Sequence, residues 1–176
     1  MFTSLKRRCS FIDHCHPFLP VVNVALDDAF NTIRQSPPLI SAMIAIASRF
    51  YCRFTSRSSR NKMYPQLDPS IPARLINLAE SHLAQTLLRK QHALSDVQAI
   101  LLLAAWGLQS GGRGPDAWIV TGHAVRIARR LGVHKVLGKA AETARTAQPG
   151  SEEWEELETF MPQWRTWCVI RVAQSF

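Results

Sequence analysis

The chain of 176 residues is short of several things that would direct a function. It has four cysteines, Cys9, Cys15, Cys52 and Cys168, none of them in a CxxC pair. Spacing this wide gives no disulfide framework and reads as reduced thiols in an intracellular protein. Long apolar runs are missing too. The longest, Ala99 to Leu108, is about half of the ~20 residues that cross a bilayer, so a soluble chain with no membrane partner is expected. Met1 to Pro20 starts basic but holds no apolar stretch of secretory-signal length. Strand-type alternation is absent, which argues against a sheet. No GxSxG, HExxH or GxxxxGK[ST] pattern occurs, and clustered carboxylates are confined to EEWEELE. No enzyme is expected.

Negative charge is also scarce: 13 acidic residues face 21 basic ones, for a formal net charge of +8. A chain of this charge is drawn to polyanions. The basic residues are dispersed, however, with one modest cluster from Arg49 to Lys62. That distribution weighs against direct DNA reading.

What is present is apolar and helical. Apolar residues make up 47% of the chain, which argues for a packed body. Leu5 to His16 is expected as a short helix stopping before Pro17, and Ala25 to Arg34 as a second. Pro37 and Pro38 suit the first turn of a longer helix with Leu39, Met43, Ile46, Ala47 and Phe50 on one face. TSRSSRNKMYPQLDPS reads as a loop. Ile71 to Arg89 follows as an amphipathic helix with Leu75, Leu78, Ala79, Leu83 and Leu87 on one side. In ALSDVQAILLLAAWGLQS, Ser95 and Gln98 match a capping box, and the run behind them is apolar all round, so this helix is expected at the centre.

GGRGP then breaks the helix, and Pro115 opens another with a stripe of Trp118, Gly122, Val125, Ala128 and Leu131. Gly122 in that stripe suggests a close backbone approach. Gly132 is placed as the left-handed residue ending the helix. Ser151 caps a final helix with Glu152 and Glu153 in its first turn, and Pro162 is expected to kink or restart it. The fold class is therefore all-α, with antiparallel helical pairs packed around a central apolar helix. It is expected as one domain over residues 1–176, with loops at 54–70 and 136–150.

Chemistry-bearing candidates are few. Asp13, His14, Cys15 and His16 look like a metal cluster, but helical neighbours point ~100° apart and do not converge on one ion. Trp106, Trp118, Trp154, Trp164 and Trp167 are mostly core by spacing, while a minority of such aromatics line ligand pockets. Trp106 and Trp118, with His123 and Arg126 one turn apart for an anionic group, are the effector-binding candidates. No catalytic or metal-ligating residue is assigned.

Four stretches in order carry a resemblance. FIDHCHPFLPVV, with His16, Pro17 and Pro20, is similar to the H-P-x-x-P opening of the fungal-specific transcription factor domain. That domain is the middle homology region of regulators with a binuclear zinc cluster. SPPLISAMIAIASRF resembles its next segment. In the long block from LSDVQAILLLAAWGLQS to GVHK, the matching positions are Val97, Gln98, Trp118, Gly122, Ala124, Arg126, Ala128, Leu131, Gly132 and His134. WRTWCVIRVAQSF resembles the closing helix through Trp167, Arg171 and Ser175, with Ile170 or Val172 where an acidic residue stands in the family.

The resemblance implies a nuclear regulatory domain controlling transcription by RNA polymerase II. DNA binding and zinc would reside in a six-cysteine module absent from this chain, which itself takes no cofactor. Partners implied are the transcription machinery or a small-molecule effector, with DNA engaged only indirectly and a homodimer left open. The family domain runs past the closing helix, so a C-terminally incomplete domain is expected. A helical-repeat interaction scaffold is the competing reading, and the lack of a fixed internal period counts against it.

Overall fold

The computed structural model describes residues 11, 15–22, 33–57, 68, 70–107 and 116–173; of residues 50–57 and 107 it describes the backbone. Among them are six α-helices and no strand. The first, α1 (Pro37–Arg57), starts on its two prolines, whose missing N–H groups leave no helical bond unmade. Leu39, Ala42, Met43, Ala45 and Ile46 form its buried face. α2 (Ser70–Leu87) begins where the Asp68 carboxylate accepts the Ser70 backbone N–H at 2.9 Å. It packs on α1. There the Ser41 hydroxyl donates to the Pro38 carbonyl, so the His82 Nδ1–H is the donor in its 2.9 Å bond to Ser41 Oγ.

The apolar run folds as α3 (Leu94–Leu102), continued by a π-helical turn, Leu103–Gly107. Val97, Ile100, Leu101, Leu102 and Leu103 are all buried. A helix apolar on every side is stable only with neighbours on every side, and α3 touches α1, α2, α4 and α6. α4 (Ala117–Arg130) is capped by Asp116, which accepts the Trp118 N–H at 2.8 Å. Gly132, at φ +76°, ends it in the left-handed geometry expected of that residue. A 3-10 turn (Val133–Lys135) leads into α5 (Val136–Thr146), which packs on α6 (Glu152–Ala173). Ser151 caps α6 by accepting the Trp154 N–H at 3.3 Å.

Several expectations are corrected. The stretch from 136 to 150 is helical over Val136–Thr146 and not a loop. Its only buried residue is Val136, so it carries almost no apolar stripe, and Gly138 masks the helix-forming Ala, Glu and Arg that follow. The loop expected at 54–70 loses residues 54–57 to α1 and its last residue to α2, while 58–67 and 69 lie outside the described residues. Of the two early helices, only Phe11, Ile33 and Arg34 are described as helical. GGRGP lies outside the described residues.

The face of α4 is rotated from that expected, and that of α2 departs at one residue. Leu78 is exposed, while Ala79 and Leu83 are buried, Leu75 and Leu87 pack partly buried against the core, and Ile76 and Thr86 join the buried face. On α4 the buried face is Val120, Ala124, Ile127 and Ala128, with Val125 at its edge. Trp118 is 82% exposed and Leu131 is exposed. Gly122 admits no close neighbour: a Cβ there would meet only Arg126 Nη1, at 3.8 Å. The capping box also shifts. The helix starts two residues before the expected turn, because Asp96 accepts the Ala93 N–H at 2.9 Å and Ser95 is already inside it. Pro162 does not restart α6, which runs through it as one helix.

Candidate functional site

The change from α to π winding in α3 shapes one end of the fold. A π turn spends an extra residue, and such turns recur at functional sites. Here the turn holds the small residues Ala104 and Ala105 beside Trp106. Its end is held from a distance: Arg49 Nη1 on α1 donates to the Trp106 carbonyl at 2.6 Å. An ionised donor bonds this carbonyl more strongly than a neutral one would.

The segment before α1 closes over the same end. Residues 17–22 contain Pro17 and Pro20, both exposed, so the segment lacks two backbone donors. Side chains hold it. His16 Nε2–H donates to the Val22 carbonyl at 2.6 Å, and Gln98 Nε2–H donates to the Val21 carbonyl at 2.6 Å. The same Gln98 nitrogen lies 3.4 Å from the Thr166 hydroxyl on α6. Val21 and Cys15 are fully buried, as is Phe11 to within 1%. An unpaired carbonyl in such a place costs about 1–3 kcal/mol, which is what Gln98 prevents at Val21. His16 therefore acts as a brace on the backbone. Asp13 and His14 lie outside the described residues, and among those described no three His, Cys, Asp or Glu side chains gather as around a metal.

These elements line an open pocket of ≈ 360 Å³. Phe18 and Leu19 come from the held segment, Leu101, Ala104 and Ala105 from α3 and its π turn, and Thr121 from α4. Cys168, Val169, Val172 and Ala173 of α6 complete the wall. Among the described residues no charged side chain lines it, and the Thr121 hydroxyl and the Cys168 thiol are the polar side-chain groups. The rim is unusually greasy. Phe18 is 75% exposed and Val172 59%, and the Phe18 ring stands edge-on to Trp106 at a centroid distance of 6.2 Å.

The sequence-predicted effector residues do not converge on this pocket. Trp106 is adjacent to it through Phe18 but is not in its wall. Trp118 projects into solvent at the start of α4. His123 is half-buried, and the Arg126 guanidinium lies along its own helix over Gly122; neither reaches the lining. Among the remaining motif residues, Trp167 is half-buried against His134, ring centroids 5.9 Å apart, and Arg171 is exposed on α6. Sequence reasoning gave Arg49 no role beyond the basic cluster and missed Thr121. Their roles depend on partners 57 residues away and on a different helix, so no local pattern marks them.

Among the described residues two carboxyls sit below their ordinary range, both at helix starts and away from the pocket. Asp68 is lowered by the hydrogen bonds it accepts from Ser70, and Glu153 by its bond with Ser151. They support helix caps.

The model of one family, described as the fungal specific transcription factor domain, matches residues 10–167. No curated protein and no solved structure matches the chain.

Proposed function

We propose, since the chain belongs to the fungal specific transcription factor domain family, that it is the effector-responsive part of a nuclear regulator of RNA polymerase II transcription. The family is regulatory and non-enzymatic. DNA is read, in this proposal, by a separate module that binds zinc. The chain's own cysteines do not fit such a cluster: four are spread from Cys9 to Cys168, and Cys15 is fully buried. The observation that carries the reading is the family match, which spans nearly the whole chain.

The physics of regulation follows from the packing. An effector shifts a protein between two arrangements only by binding one of them more tightly, and each tenfold difference in affinity moves the balance by about 1.4 kcal/mol. A molecule in the pocket would touch α3, its π turn, α4 and α6 together. It would therefore favour whichever relative placement of those helices closes best around it. Partners in the transcription machinery would sense that placement, and a homodimer would offer them two copies.

The test is a fusion of this chain to an unrelated DNA-binding module, read by a reporter gene. Reporter output is expected to differ from that of the module alone at equal protein level. Equal output under all growth conditions tried would refute the regulatory reading. The chain alone is expected to show only weak, salt-sensitive DNA binding, and tight sequence-specific binding at ~0.15 M salt would refute it from the other side.

A further inference from the structure

We infer that the pocket between the held segment and helices α3, α4 and α6 binds an uncharged, largely apolar small molecule. The inference rests on the regulatory reading for what occupancy does in the cell; the binding itself is argued from the walls.

Its volume of ≈ 360 Å³ lies within the range of about 300–1,000 Å³ typical of small-molecule sites, which are mostly apolar with a few placed polar groups. Here the placed group is the Thr121 hydroxyl, able to donate or accept one bond. Among the described residues the lining contains no lysine, arginine, histidine or carboxylate. A charged group set against this apolar lining would give up water with nothing among the described residues to pair with, at a cost that apolar contact does not offset. The selection is therefore against ions of either sign, including the anion that His123 and Arg126 were expected to address.

Two further features agree. The π turn places two alanines in the wall where larger side chains would fill the space, and π turns are rare and frequent at functional sites. Phe18 and Val172 leave most of their surface in water at the rim, although the core beside them excludes it. A bound apolar molecule would cover those faces, at roughly 25 cal/mol per Å² of apolar area removed from water.

The experiment is a fluorescence titration of the full chain with Nile red, a neutral apolar dye, beside an anionic naphthalenesulfonate dye. Nile red is expected to saturate at one per chain and to bind more tightly than the anion. Ala105→Trp fills the pocket, and Val172→Asp puts a charge in its wall; each is expected to weaken Nile red by about tenfold or more. Leu88→Ser removes a large exposed apolar side chain at the end of α2, which supplies none of the lining, and is expected to change nothing.

Should Ala105→Trp fail to fold by circular dichroism, Val172→Asp carries the test, since Val172 is mostly in water already. Equal Nile red affinity in the wild type and Val172→Asp overturns the assignment. So does tighter binding of the anion. Sedimentation supplies a third overturning result: a dimer that Val172→Asp dissociates would mean that a second copy covers this face. The reporter fusion separates the two ideas. Nile red binding without any reporter effect would leave the pocket and remove the regulatory reading. A ligand-dependent reporter signal that survives Ala105→Trp would do the reverse.

Discussion

Three glycines give opposite answers to the same substitution, and together they test the packing of α4. Gly122 lies inside α4, where a methyl group would meet only Arg126 Nη1 at 3.8 Å, an ordinary contact. Gly138 lies in the first turn of α5 with nothing within 4 Å of its missing Cβ. Neither has a positive φ. Alanine at a helix-interior glycine is favoured by about 0.8–1.0 kcal/mol, because the unfolded chain loses freedom that the helix never had. Gly138 is near a helix start, so about half of that is reasonable there. The pair should therefore gain roughly 1–1.5 kcal/mol, additive because the two sites share no contact.

At roughly 2–4 °C per kcal/mol for a chain of this size, the double variant should melt about 2–6 °C higher by far-ultraviolet circular dichroism. Gly132 also has open space around it, but its φ of +76° is strained for any side chain. Gly132→Ala should cost about 1–2 kcal/mol and lower the melting point. The decisive result is Gly122→Ala alone. A loss of stability there would mean that another backbone does approach Gly122, as its place in the Trp118–Leu131 stripe suggested, and that the described rotation of α4 is wrong.

Other outcomes follow from particular contacts. Leu83→Ala should cost about 2–5 kcal/mol in denaturant unfolding, because Leu83 is 3% exposed; Leu78→Ala, on the 48% exposed residue, should stay within about 0.5 kcal/mol. Gln98→Leu keeps the side-chain bulk but strands the buried Val21 carbonyl, and should cost about 1–3 kcal/mol with faster amide exchange around residues 19–22. Ser151→Ala should raise the Glu153 pKa toward the ordinary glutamate value of 4.5, followed by NMR titration, since the Ser151 hydrogen bond is the main cause of its lowering. Because the folded pKa is the lower one, Glu153 stabilises the fold above its unfolded pKa. That contribution fades as pH falls through the folded value, and the Ser151→Ala variant should show less of this acid dependence.

Most helices were legible because their signals are local. The double proline opening α1, the unbroken apolar run of α3, Gly132 after α4 and Ser151 before α6 each act within a turn or two of the chain. Helix α5 escaped because it buries only Val136, and periodicity cannot announce a helix that has almost no apolar face. Its alanines were a weaker signal than the glycine beside them.

Which side of a helix turns inward is a different kind of question. On α4 the apolar residues Trp118, Ile119, Val120, Val125, Ile127 and Leu131 spread over much of the circumference. Several stripes are then equally consistent with the sequence, and the neighbours α3 and α6 select the one through Val120 and Ala124. The same holds for Gln98, whose spacing from Ser95 fits a cap but whose side chain reaches a carbonyl 77 residues away. The amino-acid order by itself determined an α-only chain and where most of its helices start and stop, because propensity and capping are set by residues a few positions apart. The pocket, the Arg49 tie to Trp106 and the exposure of Trp118 were decided only in three dimensions, where distant segments meet and compete for the same buried space.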